Sequence, residues 1–385
     1  MNFEFPCIDP VAIDIPGIGI DIRWYGLTYV VGFLCAELIL SRLAQRRFLP
    51  VDRATASDLL FWSIIGVMVG GRLGFALFYD HELLDPVRIF QFWKGGMSFH
   101  GGLLGVFVAF ILFARRHGVP WRRVGDSAAI AVTPGIFFVR GANFVNGELF
   151  GRTTSADTFG AMRFPTDPAA VNAMGLGDVP DMRSRELARL YACGEREWEE
   201  ILPRLATDVD WESKRPRLDW DAVQTLVPYR HPSQLYEGLT EGLLLGLILL
   251  ALLVWTRRRP LGAGAYGGVF LLGYGIARSA LELVRQPDAQ FVTAENPGGT
   301  VFMGLTMGQT LSSVMILAGQ SFKLIQPRPQ TKFGCRLPNH VGDTMPLPAG
   351  RSQFPWPKLT VPQGSRPNSA VALANHPSSG LRLAP

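Results

Sequence analysis

The stretch that decides the fold is Gly242-Leu-Leu-Leu-Gly-Leu-Ile-Leu-Leu-Ala-Leu-Leu-Val-Trp255, followed after Thr256 by Arg257-Arg258-Arg259. Its side chains would be apolar on every face of a helix. Such a helix is buried in a large protein core or crosses a membrane. The arginine triplet marks the end of the apolar segment, and the pattern predicts a membrane-spanning helix.

Six further apolar blocks occur in the chain, and a helix needs roughly 20 residues to cross a bilayer. A large soluble protein with buried core helices is the alternative, but seven such blocks in 385 residues argue against it. The sequence therefore predicts an all-α polytopic membrane protein with about seven transmembrane helices. The predicted spans are residues 24–41, 58–79, 98–114, 126–144, 235–255, 265–284 and 305–325.

Two polar segments divide the chain. Residues 145–232 hold 15 acidic and 11 basic residues, and helix-like apolar spacing over Ser184–Leu205 predicts a small helical arm there. Residues 326–385 hold eleven prolines and little periodicity, which predicts a disordered tail. The predicted organisation is spans one to four in 1–144, a periplasmic arm in 145–232, spans five to seven in 233–325 and the tail in 326–385.

Charge and cysteine content exclude several classes of function. The formal net charge of +5 comes from the tail, which holds seven basic residues and one acidic residue, so a nucleic-acid-binding face is not indicated. Four cysteines without a CxxC pair exclude a disulfide scaffold and a zinc ribbon. Six histidines show no metal-ligand spacing, and neither a metal nor another cofactor is predicted. The motifs GxSxG, HExxH and the P-loop are absent from the sequence.

The distribution of arginine predicts the orientation in the membrane. Positive charge favours the cytoplasmic side, and arginine is concentrated after the first, third and fifth spans. The N-terminus is therefore predicted outside and the C-terminus inside, in a bacterial inner membrane, without a cleavable signal peptide. The arginines concerned are Arg42, Arg46, Arg47, Arg53, Arg115, Arg116, Arg122, Arg123 and Arg257–Arg259.

Three arginines fall inside predicted spans, where an ionised group is costly and needs a partner or a function. They are Arg72, Arg140 and Arg278. Tyr274, Arg278 and Glu282 share one helix face, so a buried pair that fixes helix packing is one interpretation. Three intramembrane arginines together favour an anion site, because the guanidinium stays charged and binds two phosphate oxygens at once.

Two further segments carry candidate site residues. Polar residues at the outer end of the fourth span can line a wet cavity or form a turn, namely Arg140, Asn143, Asn146, Glu148, Gly151 and Arg152. His100 stands in the run Gly95-Gly-Met-Ser-Phe-His-Gly-Gly102 at the outer membrane surface, where glycines allow close approach of a ligand. A hydrogen-bonded structural role for His100 and a catalytic role are both open. His231, before Pro232, is predicted to cap or orient.

These segments together resemble the prolipoprotein diacylglyceryl transferases, bacterial inner-membrane enzymes that lipidate lipoprotein precursors. The resemblance runs from about Trp24 to Lys323 and excludes most of the arm and the tail. The family signature Gly-Arg-x-Gly/Ala-Asn-Phe-x-Asn-x-Glu-x-x-Gly fits from Arg140 to Gly151, with Val139 in place of the first glycine. The other matching segments are Trp24-Tyr-Gly26, Gly70-Gly-Arg72, Gly95–Gly102, His231-Pro-Ser-Gln-Leu-Tyr-Glu237, Arg285-Gln-Pro-Asp288 and Gly308-Gln309.

The resemblance implies transfer of an sn-1,2-diacylglyceryl group from phosphatidylglycerol to the lipobox cysteine of a preprolipoprotein, with glycerol 1-phosphate as the leaving group. Arg140 and Arg278 are then expected to hold the phosphate, and Glu282 and Tyr274 to orient Arg278. Asn143, Glu148 and Gly151 would shape the site around Arg140, and Tyr25 would line the lipid cavity. Gly101 is expected among the substrate-binding residues. A cysteine thiol has a reference pKa of about 8.5, so a base helps, and His100 is the candidate.

Two alternatives remain at this point. A multi-pass transporter or channel for an anionic solute would also use intramembrane arginines, although the polar motifs gather near the outer face and the spans show no matching halves. A catalytically inactive relative is the second, because Val139 departs from the signature. The expected partners are phosphatidylglycerol, lipobox peptides and membrane lipids, the expected state is a monomer, and Cys7 and Cys193 could pair.

Overall fold

The computed structural model describes most of the chain up to residue 324. The described parts are 3–15, 20–92, 95–176, 220–258, 261–287 and 291–324, with single helical positions between 185 and 192. The predicted tail and most of the predicted helix Ser184–Leu205 lie outside them. Cys7 is disulfide-bonded, and Cys193 lies outside the described residues, so their pairing stays a prediction.

The described parts are mostly helical. The helices are α1 (Trp24–Gln45), α2 (Arg53–Phe78), α3 (Phe99–His117), α4 (Trp121–Val145), α5 (Pro168–Ala173), α6 (Trp220–Val223), α7 (Ser233–Glu237, a π-helical segment Gly238–Leu244, then Leu245–Trp255), α8 (Ala265–Leu281) and α9 (Met307–Leu324). Two antiparallel hairpins accompany them, β1 (Val11–Ile15) with β2 (Ile20–Arg23) and β3 (Thr300–Phe302) with β4 (Leu305–Thr306). The all-α prediction omitted these hairpins, which are too short to change the helical character of the fold.

Within the described residues, five helices are long and apolar enough to cross a membrane, namely α1, α2, α3, α4 and α7. Many large apolar side chains on them are more than half exposed, among them Leu34, Phe61, Leu104, Leu112 and Leu247. An apolar surface of this extent is typical of a protein surrounded by lipid. The predicted sixth and seventh spans coincide with α8 and α9, which have 17 and 18 residues.

Helices α2 and α3 pack against each other through glycines. A Cβ atom at Gly66 would lie 2.7 Å from the carbonyl oxygen of Gly105, and one at Gly74 would lie 2.7 Å from the Cα atom of Gly101. Glycines spaced by four residues let membrane helices approach at backbone distance. The glycine-rich sequence of both segments therefore serves helix packing.

Helix α4 packs against α1, α7 and α8 and is the centre of the bundle. Asp126 on α4 is fully buried, and its carboxylate accepts hydrogen bonds from the backbone N–H groups of Gly264 and Gly267, both at 2.8 Å. These N–H groups belong to the first turn of α8, which lacks internal acceptors for them. Asp126 thus attaches the start of α8 to α4.

The described part of the predicted arm is mostly irregular, with α5 and α6 as short helices. Phe150, Met162 and Phe164 form a small apolar cluster with Phe5. Arg230 donates to the buried carboxylate of Asp167 at 2.6 Å, and Asp167 also caps α5 through the N–H of Ala169. The segment is thus anchored on both sides, at residues following α4 and preceding α7.

Candidate active site

Glu237 is the centre of a buried charged cluster. It stands in the first turns of α7, and its side chain is 1% exposed. One carboxylate oxygen lies 2.8 Å from Nε of Arg140 on α4. The other accepts a hydrogen bond from Nη1 of Arg278 on α8 at 3.2 Å. A single carboxylate therefore joins the two arginines that the sequence singled out.

Arg278 has a second acidic partner and Glu237 a third basic one. Nη2 of Arg278 lies 3.5 Å from Glu282, whose other oxygen accepts a hydrogen bond from the Thr306 hydroxyl at 3.0 Å. Nε of Arg285 lies 3.9 Å from Glu237. The expected Arg278–Glu282 pair is therefore present, but Glu237 is the closer partner of Arg278.

Glu241 is the third carboxylate at this place, one turn after Glu237 in the π-helical segment of α7. Its side chain is completely buried and makes no ion pair within the described residues. The charged neighbours that act on it are Glu237, Arg140 and Arg278, and the Tyr274 hydroxyl faces it. We call Arg140, Arg278, Arg285, Glu237, Glu241 and Glu282 the arginine–glutamate cluster.

Glycines bring the helices of the cluster together. A Cβ atom at Gly242 would lie 2.6 Å from the backbone nitrogen of Phe137, and one at Gly238 would lie 3.2 Å from Cβ of Arg140. A Cβ atom at Gly308 would lie 2.7 Å from the carboxylate of Glu282. Larger residues at these positions would push α7 away from α4, or displace Glu282, and would break the ion pairs.

The segment after α4 folds around Glu148. Its carboxylate accepts a hydrogen bond from the side-chain amide of Asn143 at 2.8 Å, and a longer one from Asn146 at 3.4 Å. The side-chain amide of Gln234 donates to the Glu148 carbonyl at 2.6 Å. Asn143 and Glu148 therefore hold the segment between Arg140 and the start of α7, and Asn143 is itself buried.

Gly151 lies where three segments meet. Its N–H donates to the His231 carbonyl at 2.8 Å, and it forms an isolated β-bridge with Arg285. A Cβ atom there would lie 2.9 Å from Cβ of His231, so glycine is required by close packing. Burial lowers the pKa of the His231 imidazole, which favours the neutral ring beside this junction.

Tyr25 and Tyr29 stand one helical turn apart at the start of α1, with ring centroids 5.4 Å apart. Tyr29 is close enough to Arg140 and Glu148 to interact electrostatically with both. This end of α1 therefore borders the cluster on the side of α4. Tyr29 is the tyrosine that interacts with Arg140, and a lining role for Tyr25 stays a prediction.

His100 and Gly101 stand in the first turn of α3. His100 is exposed at the start of α3 and borders a groove of about 680 Å³ between α2 and α3, which is lined mainly by apolar side chains. Within the described residues no hydrogen bond or ion pair joins His100 to Arg140 or Arg278. Gly101 faces the same groove, and a Cβ there would lie 2.9 Å from Cα of Gly74, so helix packing explains the glycine.

Arg72 does not contribute to an anion site. All of its guanidinium N–H groups are directed at backbone carbonyl oxygens, and its side chain is buried. The acceptors belong to the loop between α2 and α3, namely Arg88, Ile89, Gln91, Gly95 and Gly96. The expectation that three intramembrane arginines form an anion site was wrong for Arg72. Backbone carbonyl oxygens of the loop accept all of its N–H groups, so none is left to bind an anion.

Sequence reasoning missed Glu237, Glu241 and Arg285 as members of the site. Glu237 closes the quoted segment from His231, and Arg285 opens another quoted segment. Glu241 follows Glu237 by four residues at the entry to the most apolar block of the chain. The sequence did hold a signal for the two glutamates, because two acids spaced by four residues share one helix face at the edge of a membrane span. No group of His, Cys, Asp and Glu within the described residues has the arrangement of a metal site.

The fold and the site define a class, a polytopic membrane protein with charged residues gathered at the ends of its helices. The sequence model of the prolipoprotein diacylglyceryl transferase family matches residues 10–325. The chain belongs to this family, and the resemblance stated from the motifs is confirmed.

Several curated relatives cover most of the chain, and each is named phosphatidylglycerol–prolipoprotein diacylglyceryl transferase. The protein of Idiomarina loihiensis is 39% identical over 320 residues, which are 82% of this chain and 92% of the relative. The protein of Ruegeria pomeroyi is 39% identical over 335 residues, 83% of this chain and 96% of the relative. That of Rhodospirillum centenum is 39% identical over 326 residues, 83% of this chain and 91% of the relative.

Proposed function

We propose that this protein transfers the sn-1,2-diacylglyceryl group of phosphatidylglycerol to the lipobox cysteine of preprolipoproteins. The observation that carries the proposal is the buried pairing of Arg140 and Arg278 through Glu237 in a member of this family. Guanidinium groups held rigidly in a membrane protein are suited to a lipid phosphate. The transporter alternative has no support, since the matching family and the relatives above are named as transferases.

The reaction exchanges a carbon–oxygen bond for a carbon–sulfur bond. The cysteine sulfur attacks the carbon of the diacylated glycerol that is bonded to the phosphate oxygen. The bond between that carbon and the phosphate oxygen breaks, and its electron pair leaves with glycerol 1-phosphate. The thiol proton goes to a base, and the product is a thioether. Negative charge grows on the leaving phosphate during the step, so preorganised cations beside it lower the barrier.

The residues divide into those that hold the phosphate and those that hold the arginines. Arg140 and Arg278 each present five N–H donors, and one carboxylate cannot occupy all of them. Glu237 and Glu282 fix the orientation of the guanidinium groups, and Tyr274 packs beside them. Asn143, Glu148 and Gly151 hold the adjoining segment in place, and Tyr25 lines the lipid cavity.

His100 is the proposed base for the thiol. Its exposed position at the start of α3 leaves the imidazole accessible to an incoming peptide. A base of this kind contributes typically 10²–10⁴-fold to a rate. Gly101 lies next to it in the same groove.

The proposed setting is the bacterial inner membrane. Helices α8 and α9 complete seven spans, the N-terminus faces outward and the C-terminus faces the cytoplasm, because basic residues gather on that side. Residues 145–232 then form a periplasmic arm. The protein works as a monomer on membrane lipid and precursor peptide, without a cofactor.

A transfer assay tests the function. The purified full chain is incubated with phosphatidylglycerol and a lipobox peptide, and the peptide is examined for the mass increase of a diacylglyceryl group. We expect transfer by the wild-type chain and its loss in Arg140→Ala and in Arg278→Ala, with both variants still inserted in the membrane. Arg88→Gln is the matched control, because Arg88 pairs on the surface with Glu82. No transfer by the wild type would refute the function, and full activity of either alanine variant would refute the phosphate site.

A further inference from the structure

A second groove, of about 520 Å³, lies between α1, α4 and α7. Its walls are mainly apolar, and no member of the arginine–glutamate cluster lines it. Two glycines of α7 leave room for it, because they put no side chain between α7 and α4. The lining residues that define its position are Cys35, Arg42 and Arg46 on α1, Phe138 on α4, and Gly242 and Leu250 on α7.

The groove has the length of one bilayer leaflet. Cys35 marks one end on α1, and Arg46, just past the last residue of that helix, marks the other. They are three helical turns apart, or about 16 Å at a rise of about 1.5 Å per residue. This is half of the hydrocarbon core, which is about 30 Å thick. The arginine–glutamate cluster borders the opposite end of α1, at Tyr29, so the groove lies in the other leaflet.

The end of the groove at the membrane surface is basic. Arg42 and Arg46 stand one helical turn apart, both are exposed, and within the described residues neither makes an ion pair. None of the residues that line the groove is acidic. Glu37 on the same helix faces α2, where its carboxylate accepts a hydrogen bond from the Ser57 hydroxyl at 2.6 Å. Basic pockets between membrane helices bind the phosphates of anionic lipids, and paired guanidinium groups suit a phosphate.

We propose that this groove holds one acyl chain of an anionic phospholipid, whose phosphate binds between Arg42 and Arg46. The lipid belongs to the leaflet at this end of the bundle, which is the cytoplasmic leaflet in the orientation proposed above. It is separate from a lipid held by Arg140 and Arg278, and its binding does not depend on the transfer reaction. At the deep end the chain reaches Gly242, where α7 packs on α4, so the bound lipid stabilises this contact.

Photochemical cross-linking tests which lipid occupies the groove and from which end. The probes are phosphatidylglycerol and phosphatidylcholine with identical acyl chains that carry a diazirine at the chain terminus. The full chain is reconstituted in nanodiscs with either probe and irradiated, and the cross-linked residues are located by peptide mass spectrometry. We expect phosphatidylglycerol to label the deep end, at Phe138 and Gly242. Phosphatidylcholine should label it roughly tenfold less, because the two arginines favour a lipid with net negative charge.

Variants of the arginines test the headgroup site. Arg42→Gln combined with Arg46→Gln should lower labelling by phosphatidylglycerol to the level of phosphatidylcholine. Arg115→Gln is the matched control and should keep the wild-type labelling, because Arg115 is exposed at the same end of the bundle and lines neither groove.

A second pair of variants tests the acyl-chain site and leaves the arginines intact. Leu250 is half exposed and lines the groove, so Leu250→Trp should fill it and remove the labelling with both probes. Ile248→Trp is the control on the same helix, because Ile248 is similarly exposed and lies outside the groove. The Tm of each variant in detergent shows that it is folded.

Three results would overturn the proposal. Equal labelling by the two lipids would show that the groove takes any apolar chain. Unchanged labelling in the folded double arginine variant would exclude the headgroup site. Loss of the labelling in Arg140→Ala would show that the chain belongs to a lipid held at the arginine–glutamate cluster.

Discussion

Replacement of Glu237 by Gln removes the charge that joins the two phosphate-binding arginines. The amide keeps the size of the side chain, so packing of Gly238 against α4 is preserved and the lost interaction is electrostatic. Glu237 is 1% exposed and lies 2.8 Å from Arg140 and 3.2 Å from Arg278. Breaking a buried pair by removing one partner costs about 3–5 kcal/mol, because the two guanidinium groups lose their counter-charge at a largely buried position.

Two measurements follow from this magnitude. The Tm of the purified variant should fall on the order of 5–15 °C. Transfer of lipid to a lipobox peptide should fall about 10²–10³-fold, the loss typical when one preorganised element of charge stabilisation is removed. Glu37→Gln, which neutralises an acid of α1 outside the cluster, should change neither quantity by a comparable amount.

The outcome separates stability from positioning. A variant with the wild-type Tm and wild-type turnover would refute the bridging role of Glu237. A lower Tm with unchanged turnover would show that the pair only stabilises the bundle, and would refute its role in orienting the arginines. Measurement at a temperature well below both Tm values keeps the two effects apart.

Three further predictions concern other parts of the molecule. His100→Gln should lower kcat at least about tenfold and remove one limb of the pH profile; near-normal turnover with an unchanged profile would exclude His100 as the base. Gly70→Ala places a Cβ atom 2.8 Å from Cα of Gly105, so α2 and α3 must separate and the Tm should fall. Gly125→Ala is the control, because a Cβ atom at Gly125 meets open space, and its Tm should equal that of the wild type. The Asp52 carboxylate caps α2, and the hydrogen bonds from Thr55 lower the pKa of this carboxyl from 3.8. The wild type should therefore have a higher Tm than Asp52→Ala above pH 3.8, and this difference should disappear as the pH falls through the lowered pKa. An advantage that persists in acid would contradict this cause.

The sequence by itself determined the membrane character, the places of the main helices and the family. These depend on composition averaged over long segments, which is insensitive to packing. One block as apolar as 242–255 could be a buried core helix, but seven such blocks in one chain indicate a membrane protein. It also identified Arg140, Arg278 and Glu282, because a charge inside such a block stands out. The hairpins escaped notice because their strands have at most five residues.

The partners of those charges were decided only by the tertiary structure. Glu237 and Arg278 are 41 residues apart in sequence, and their contact depends on glycines that let α7 approach α4. Tertiary structure also distinguishes Arg72 from Arg140, which look alike in sequence. Backbone carbonyls of a loop surround the Arg72 guanidinium, whereas the Arg140 guanidinium pairs with Glu237. An ionised group in a membrane needs a partner. The sequence shows where the charged residue is, but only the packing of the helices determines which residue is its partner.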